Sequence, residues 1–332
     1  MMRSCRMVCI AAAGLLVTTL VACNGSGSDN SKPANVQFVV DTGPGGGSDL
    51  FARQVVKIAR QNKIMDDNWP VLSRPQGGGL GAMNFMGEKK GQPNYVAAFS
   101  SKWISSGLTE PNATTTVKDL TVIAMLADEQ QIVAVPANSP YHNFQDFLNA
   151  AKQNPGQLVQ VGGAYQSVDN LLALQIEANT GTSWKYLSFA DGGPRITAML
   201  RGDAQIMIGA QTDFSEQVAA GQLRLIGIVG NERNKAYPDV PTLAEQGVPT
   251  QGIPDQLQFR GIALPPGAKP ETIAYYQNIL AKLVATPDWG KYMQEEGDRT
   301  QFFTGDELKK MLDQYTQDVQ RLIKLQNLKG NK

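Results

Sequence analysis

The chain has 332 residues, 42% of them hydrophobic and 18% charged, with 30 Lys and Arg balanced by 30 Asp and Glu. That balance excludes the basic excess with which nucleic-acid binders meet phosphates, and the apolar fraction excludes wholesale disorder. One histidine, His142, and three cysteines that all precede residue 24 leave almost nothing for a zinc centre, a haem or a Ser-His-Asp triad, so no metal and no cofactor is expected.

The first element in chain order is a leader. Arg3 and Arg6 precede the uncharged apolar run Met7 to Ala22, the pattern of a secretory signal, and the run is short of the roughly 20 residues that a spanning helix needs. It ends in Leu20-Val21-Ala22-Cys23, which resembles the lipobox of bacterial lipoproteins, where the cysteine is acylated and becomes the first mature residue. The resemblance implies a signal peptide over 1–22, lipidation at Cys23, and a body held on the periplasmic side of a bacterial membrane. Residues 23–34 read as a flexible Gly/Ser-rich tether. The mature chain would keep no cysteine but the lipidated one, so no disulfide is expected.

The remaining 300 or so residues are about where a single core divides in two. Short Val- and Ile-rich runs alternate with helical patterns, which predicts an α/β design with buried parallel strands. Strands are expected at Val36 to Val40, Tyr95 to Phe99, Leu120 to Ala127, Ile132 to Val135, Leu158 to Val161, Ile206 to Gly209, Leu225 to Val229 and Gly261 to Leu264. A first helix, Ser48 to Arg60, places Phe51, Val55 and Ile58 on one stripe. Asn143 is positioned to cap a helix at Phe144 to Lys152, and another helix is expected over Leu171 to Asn179. Thr304 to Glu307 opens a last helix with Leu308, Met311, Leu312, Tyr315, Val319 and Leu322 facing inward.

Four glycine-rich loops punctuate these elements: Asp41 to Asp49, Arg74 to Ala82, Val161 to Asp169, and Asp191 to Arg195. A strand, a glycine loop and a helix start together outline an anion site, because backbone approaches closely and the unpaired N–H groups of the first helical turn carry about half a positive charge. The first loop lacks the Gly-Lys-Ser/Thr of a nucleotide-binding loop, and taken alone it is equally consistent with a turn that only reverses the chain.

Several spaced strings resemble the Bug-type extracytoplasmic solute receptors of tripartite tricarboxylate transporters. They are Pro44-Gly45-Gly46-Gly47-Ser48-Asp49, Arg74-Pro75 with Gly77 to Gly81, Asn138-Ser139-Pro140-Tyr141 with Asn154-Pro155-Gly156, Pro238-Asp239-Val240-Pro241-Thr242 with Ala244 to Gly247, and Leu264-Pro265-Pro266-Gly267. The resemblance implies a two-domain periplasmic-binding-protein type II fold, with a ligand cleft between domains and two crossing hinge strands. It places domain 1 at 35–134 and 256–332, and domain 2 at 135–255. It further implies a small carboxylate ligand bound at Gly45, Gly46 and Asp49, at Ser167, and at Gly192, Gly193 and Pro194. The expected partners are the large and small integral subunits of a transporter and, through acylated Cys23, the lipid bilayer; the receptor would be monomeric and not an enzyme. The family often has Tyr-Lys-Gly-Gly-x-Pro where this chain has Phe189-Ala190-Asp191-Gly192-Gly193-Pro194, a departure that bears on ligand identity.

Side chains add candidates with alternatives. Arg195, in the first turn of a helix, is placed to grip a carboxylate or to pair with Asp191, and Ser100 ends a strand where its hydroxyl could reach ligand. Asp49 and Asp169 suit helix starts without a ligand. Phe99, Trp103, Tyr165 and Phe189 fit either a pocket wall or the core. Two other functions share this sequence: a receptor that reports to a sensor, and an extracytoplasmic α/β enzyme, which would need a nucleophile–base or carboxylate pair.

Overall fold

The computed structural model describes residues 32–330 apart from 164, 166, 190–191 and 255–257, without the side chains of 78 and 326–330. The leader, Cys23, the tether as far as residue 31, and Asp191 lie outside the described residues. In chain order the elements are β1 (Gln37–Val40), α1 (Gly47–Gln61), β2 (Val71–Ser73), α2 (Leu80–Glu88), β3 (Tyr95–Ser100), α3 (Ser101–Thr109), β4 (Thr121–Glu129) and β5 (Gln131–Pro136). There follow α4 (Phe144–Gln153), β6 (Val159–Gly162), α5 (Val168–Thr180), β7 (Lys185–Ser188), α6 (Gly192–Arg201), β8 (Ile206–Gly209), α7 (Ser215–Ala219) and β9 (Leu223–Val229). The chain ends with β10 (Gln258–Leu264), α8 (Pro270–Val284), α9 (Pro287–Glu296), β11 (Asp298–Phe303) and α10 (Gly305–Gly330).

The strands form two sheets. The first runs β11-β4-β10-β3-β1-β2 and the second β7-β6-β8-β5-β9. In the first, β1 lies parallel to β2 and β3, while β10 enters antiparallel between β3 and β4. In the second, β6 is parallel to β7 and β8, and β5 runs antiparallel to β8 and β9. The two sheets are joined by the step from β4 to β5 across Gln130, and by residues 230–257, which return the chain to β10.

Both faces of each sheet are covered, which is why the strands read as continuous apolar runs. Along β1, Phe38 and Val40 enter a core shared with α1, α8 and α9, whereas Val39 enters one shared with α2, α3 and α10. Along β5, Val133 and Val135 face α4 and α5, while Ile132 and Ala134 face α6. Asn143 caps α4 as expected, its side chain accepting from the Asp146 N–H. Of the residues read as inward along α10, Leu308, Tyr315, Val319 and Leu322 are buried and Met311 and Leu312 half-buried. Helix α5 is apolar on two sides: Leu172, Ala173 and Ile176 join the core of the second sheet, and Leu171 and Leu174 that of the first, beside α10.

Candidate functional site

The first glycine loop is built around two buried acids. Asp41, at the end of β1, accepts from the Ser48 hydroxyl and from Trp103 Nε1 at 3.0 Å. Its Oδ2 also lies 3.4 Å from where a Cβ on Gly79 would stand, so Asp41 gathers the first and second loops and α3. Asp49, one turn into α1, accepts the Gly45 N–H at 3.0 Å and both Nε and Nη2 of Arg53 at 2.9 Å. These partners, the Arg53 hydrogen bond foremost, outweigh burial and hold its carboxyl below the ordinary value. Asp49 thus orders the loop from inside. Gly45, with φ of +80°, takes the left-handed turn this requires.

Two donors remain. In the first turn of α1 the Gly46 N–H reaches Gly43 O, the Asp49 N–H reaches Thr42 Oγ1 and the Leu50 N–H reaches Gly46 O. Among the described residues the N–H groups of Gly47 and Ser48 take no partner. Over Gly47 lies a guanidinium that sequence reading did not select: Nη2 of Arg260 is 3.0 Å from where a Cβ would stand, so a side chain there would push the guanidinium aside. Arg260 comes from β10, in register with Ser100 on β3, which places Ser100 at the same edge of the site. Its guanidinium pairs with Glu129 at 2.6 Å, and Glu129 also accepts from Gln258. Burial opposes the charge of Arg260, but Glu129 and Asp298 more than compensate and raise its pKa.

The third loop repeats the plan of an acid turned inward. Asp169, in the first turn of α5, accepts from the Gly163 N–H at 2.8 Å, from Tyr186 OH at 2.8 Å and from the Ser167 hydroxyl. Burial, with Asp169 beside it, raises the Tyr186 hydroxyl far above its ordinary pKa, so it stays a donor. Ser188 Oγ closes on Gly163 O at 2.7 Å. Arg195, in the first turn of α6, donates Nε to Phe189 O at 3.0 Å and holds Nη2 3.3 Å from the Cβ position of Gly163. Gly192, Gly193 and Pro194 are exposed where α6 begins, Pro194 as the third residue of the helix.

Asp213 feels charges of both groups. Its Oδ2 accepts the Ala210 N–H at 2.9 Å. Burial raises its carboxyl; the Ala210 bond and the Arg195 charge pull it back, and Glu129 and Asp169 push it up. Glu129 of the first-sheet side and Arg195 and Asp169 of the second therefore all act on one carboxylate. Sequence reading missed Glu129, Asp213 and Arg260, which carry no local motif. Two aromatic candidates prove structural: Phe99 and Trp103 are 1% and 0% exposed and belong to the core, while Tyr165 is exposed and its ring lies tilted against Tyr186, centroids 5.7 Å apart. Among the described residues no cluster of three or more His, Cys, Asp or Glu could hold a metal ion.

Comparisons with known proteins bear on the family and the fold. Residues 55–328 match the tripartite tricarboxylate transporter family receptor, TctC. Protein BugT of Bordetella pertussis is 22% identical over 72% of this chain and 74% of its own, and a Cupriavidus necator protein is 26% identical over 79% and 78%. Among solved structures, a TctC solute-binding protein from Polaromonas superposes with a TM-score of 0.72 at 22% identity, covering 87% of this chain and 97% of that one. An R. palustris protein with adipate gives 0.73 at 18% identity over 89% and 97%, and MatC of Rhodopseudomonas palustris with bound malate gives 0.67 at 16% over 89% and 99%. Two α/β sheets, a shared fold and a match over most of the length lead to one conclusion: the chain belongs to the TctC family of solute-binding receptors, a family of receptors and not of enzymes.

Proposed function

We propose that this receptor captures a small dicarboxylate between its two sheets and hands it to the large and small integral subunits of a tripartite transporter. One carboxylate is received at the start of α1, on the N–H groups of Gly47 and Ser48, within the loop shaped by Gly45, Gly46 and Asp49 and beside Ser100. The observation that carries this reading is the nearness of those two unpartnered N–H groups to the half-buried guanidinium of Arg260, a helix dipole and a paired cation at one point. The second carboxylate meets Ser167, Arg195 and the Gly192-Gly193-Pro194 turn. Relatives of the same fold whose ligands are adipate and malate support a ligand with two acids. In this reading each sheet is the core of one domain, 35–134 with 256–332 and 135–255. The body works as a monomer on the periplasmic side of the membrane, tethered through acylated Cys23.

A thermal-shift series with malate, adipate and citrate tests the assignment. At 100 times its dissociation constant a ligand stabilises by about 2.7 kcal/mol, enough for several degrees. Malate or adipate should raise the midpoint. A folded, ligand-stripped protein unmoved by any of the three would overturn the reading.

A further inference from the structure

Another face of α1 carries a second arrangement of charge. Arg53, Lys57 and Arg60 succeed one another at spacings of four and three, which stacks them along one side of the helix. With Gln61 and the segment Asn68–Val71 they line a groove of about 630 Å³ that no carboxylate lines. Arg53 is held by Asp49, but Lys57 and Arg60 are exposed and make no ion pair among the described residues. The buried wall of the groove is Trp69, 2% exposed and set edge-on against Phe38 and Tyr276. Its indole N–H has no acceptor among the described residues. That indole is itself buried, so what the groove offers is the exposed Lys57 and Arg60, and cations without an acid select an oxygen-rich anion. The neighbouring Asp67 is engaged by Lys32 at 3.0 Å, and that ion pair brings the start of the body to this same face. Lys32 stands nine residues beyond Cys23, a length of chain that reaches about 30 Å at most.

We propose that this groove seats the phosphates of anionic lipid in the membrane that carries the anchor, laying the α1 face of the receptor against the headgroups. The inference rests on the reading of Cys23 as the anchor. A polybasic face beside a lipid chain is a second membrane signal of the kind that turns tethering into a fixed orientation.

The test is amine-reactive footprinting of Lys57 on the full chain, reconstituted in vesicles of phosphatidylcholine alone or with phosphatidylglycerol. Lys152, exposed on α4, is the internal control. Lys57 labelling should fall about fivefold on the anionic vesicles only, recover in 0.5 M salt, and stay high in Arg60→Glu, which should keep its carboxylate-induced thermal shift. Equal labelling on both vesicles while the protein floats with them would overturn the groove and leave the anchor standing; a protein partner as the true occupant would give this result. Flotation with neither vesicle overturns both readings. Flotation with anionic vesicles alone, lost in Arg60→Glu, removes the anchor and keeps the groove. Protection of Lys57 by 10 mM inorganic phosphate without vesicles would assign a soluble anion and overturn the lipid.

Discussion

Two residues show how the cleft loops use acids. Asp49 and Asp169 sit where a helix-capping aspartate belongs, yet their carboxylates reach back to the N–H groups of Gly45 and Gly163. They fold the glycine loops from within and leave the outward donors clear. For Asp49 this has a pH signature. Its folded pKa lies below the unfolded value of about 3.9, so its contribution is complete above that value and is lost as pH falls toward the folded pKa. The urea-midpoint difference between the parent and Asp49→Asn should therefore be larger at pH 6 than at pH 3; a difference independent of pH would contradict the paired carboxylate. The positions of these acids are legible in sequence, since glycine loop and helix start are local. Arg260 is not, because it acquires meaning only when β10 slides between β3 and β4 and carries it under α1.

At the level of elements, expectation holds for the central strands and for the edge strand β9, expected from Leu225 and starting at Leu223, and fails at the other edges. Residues Ile206 to Gly209 form β8 as read, and the central strands β1, β3, β4 and β5 differ by a residue or two at their ends. The strands β7 and β11 were not read as strands. Each is an edge, with Lys185 or Asp298, Arg299 and Thr300 facing a half-solvated environment, so the apolar run that marks a central strand is missing. At the corner where β6 ends, Gly162 leaves no room for a side chain. A Cβ on Gly162 would stand 1.9 Å from Asp169 Oδ2 and 2.3 Å from Tyr186 OH. Gly162→Ala should break that network and lower stability by about 1–3 kcal/mol, the range for a buried polar group left unpaired, measured by urea denaturation. An unchanged midpoint would show that the corner relaxes freely.

For the molecule as a whole, the charges that matter most lie between the sheets. Glu129 ends β4, pairs with Arg260 under α1, and acts on Asp213 across the junction. Beside it Arg299 of β11 joins Asp128 to Glu232, and Asn234 Nδ2 donates to Gly297 O at 3.2 Å. Glu129→Gln leaves the Arg260 charge without its nearest partner; breaking a buried pair in this way costs about 3–5 kcal/mol. The urea midpoint should drop accordingly, and a variant as stable as the parent would remove Glu129 from the centre of the fold. On a different side, α10 packs on α5 and Arg321 bonds to Gln175 and to Gly252 O, a second place where the sheets' cores meet. In the proposed reading, closure on ligand is a shift between populations, limited by how much better the ligand binds the closed state than the open one. The step from β4 to β5 adds a mechanical consequence. Only Gln130 separates the last residue paired in one sheet from the first paired in the other, so the connection has no slack. A torque on either sheet therefore passes to the other through the two peptide bonds that join Glu129 to Gln131, with no loop between them to absorb it.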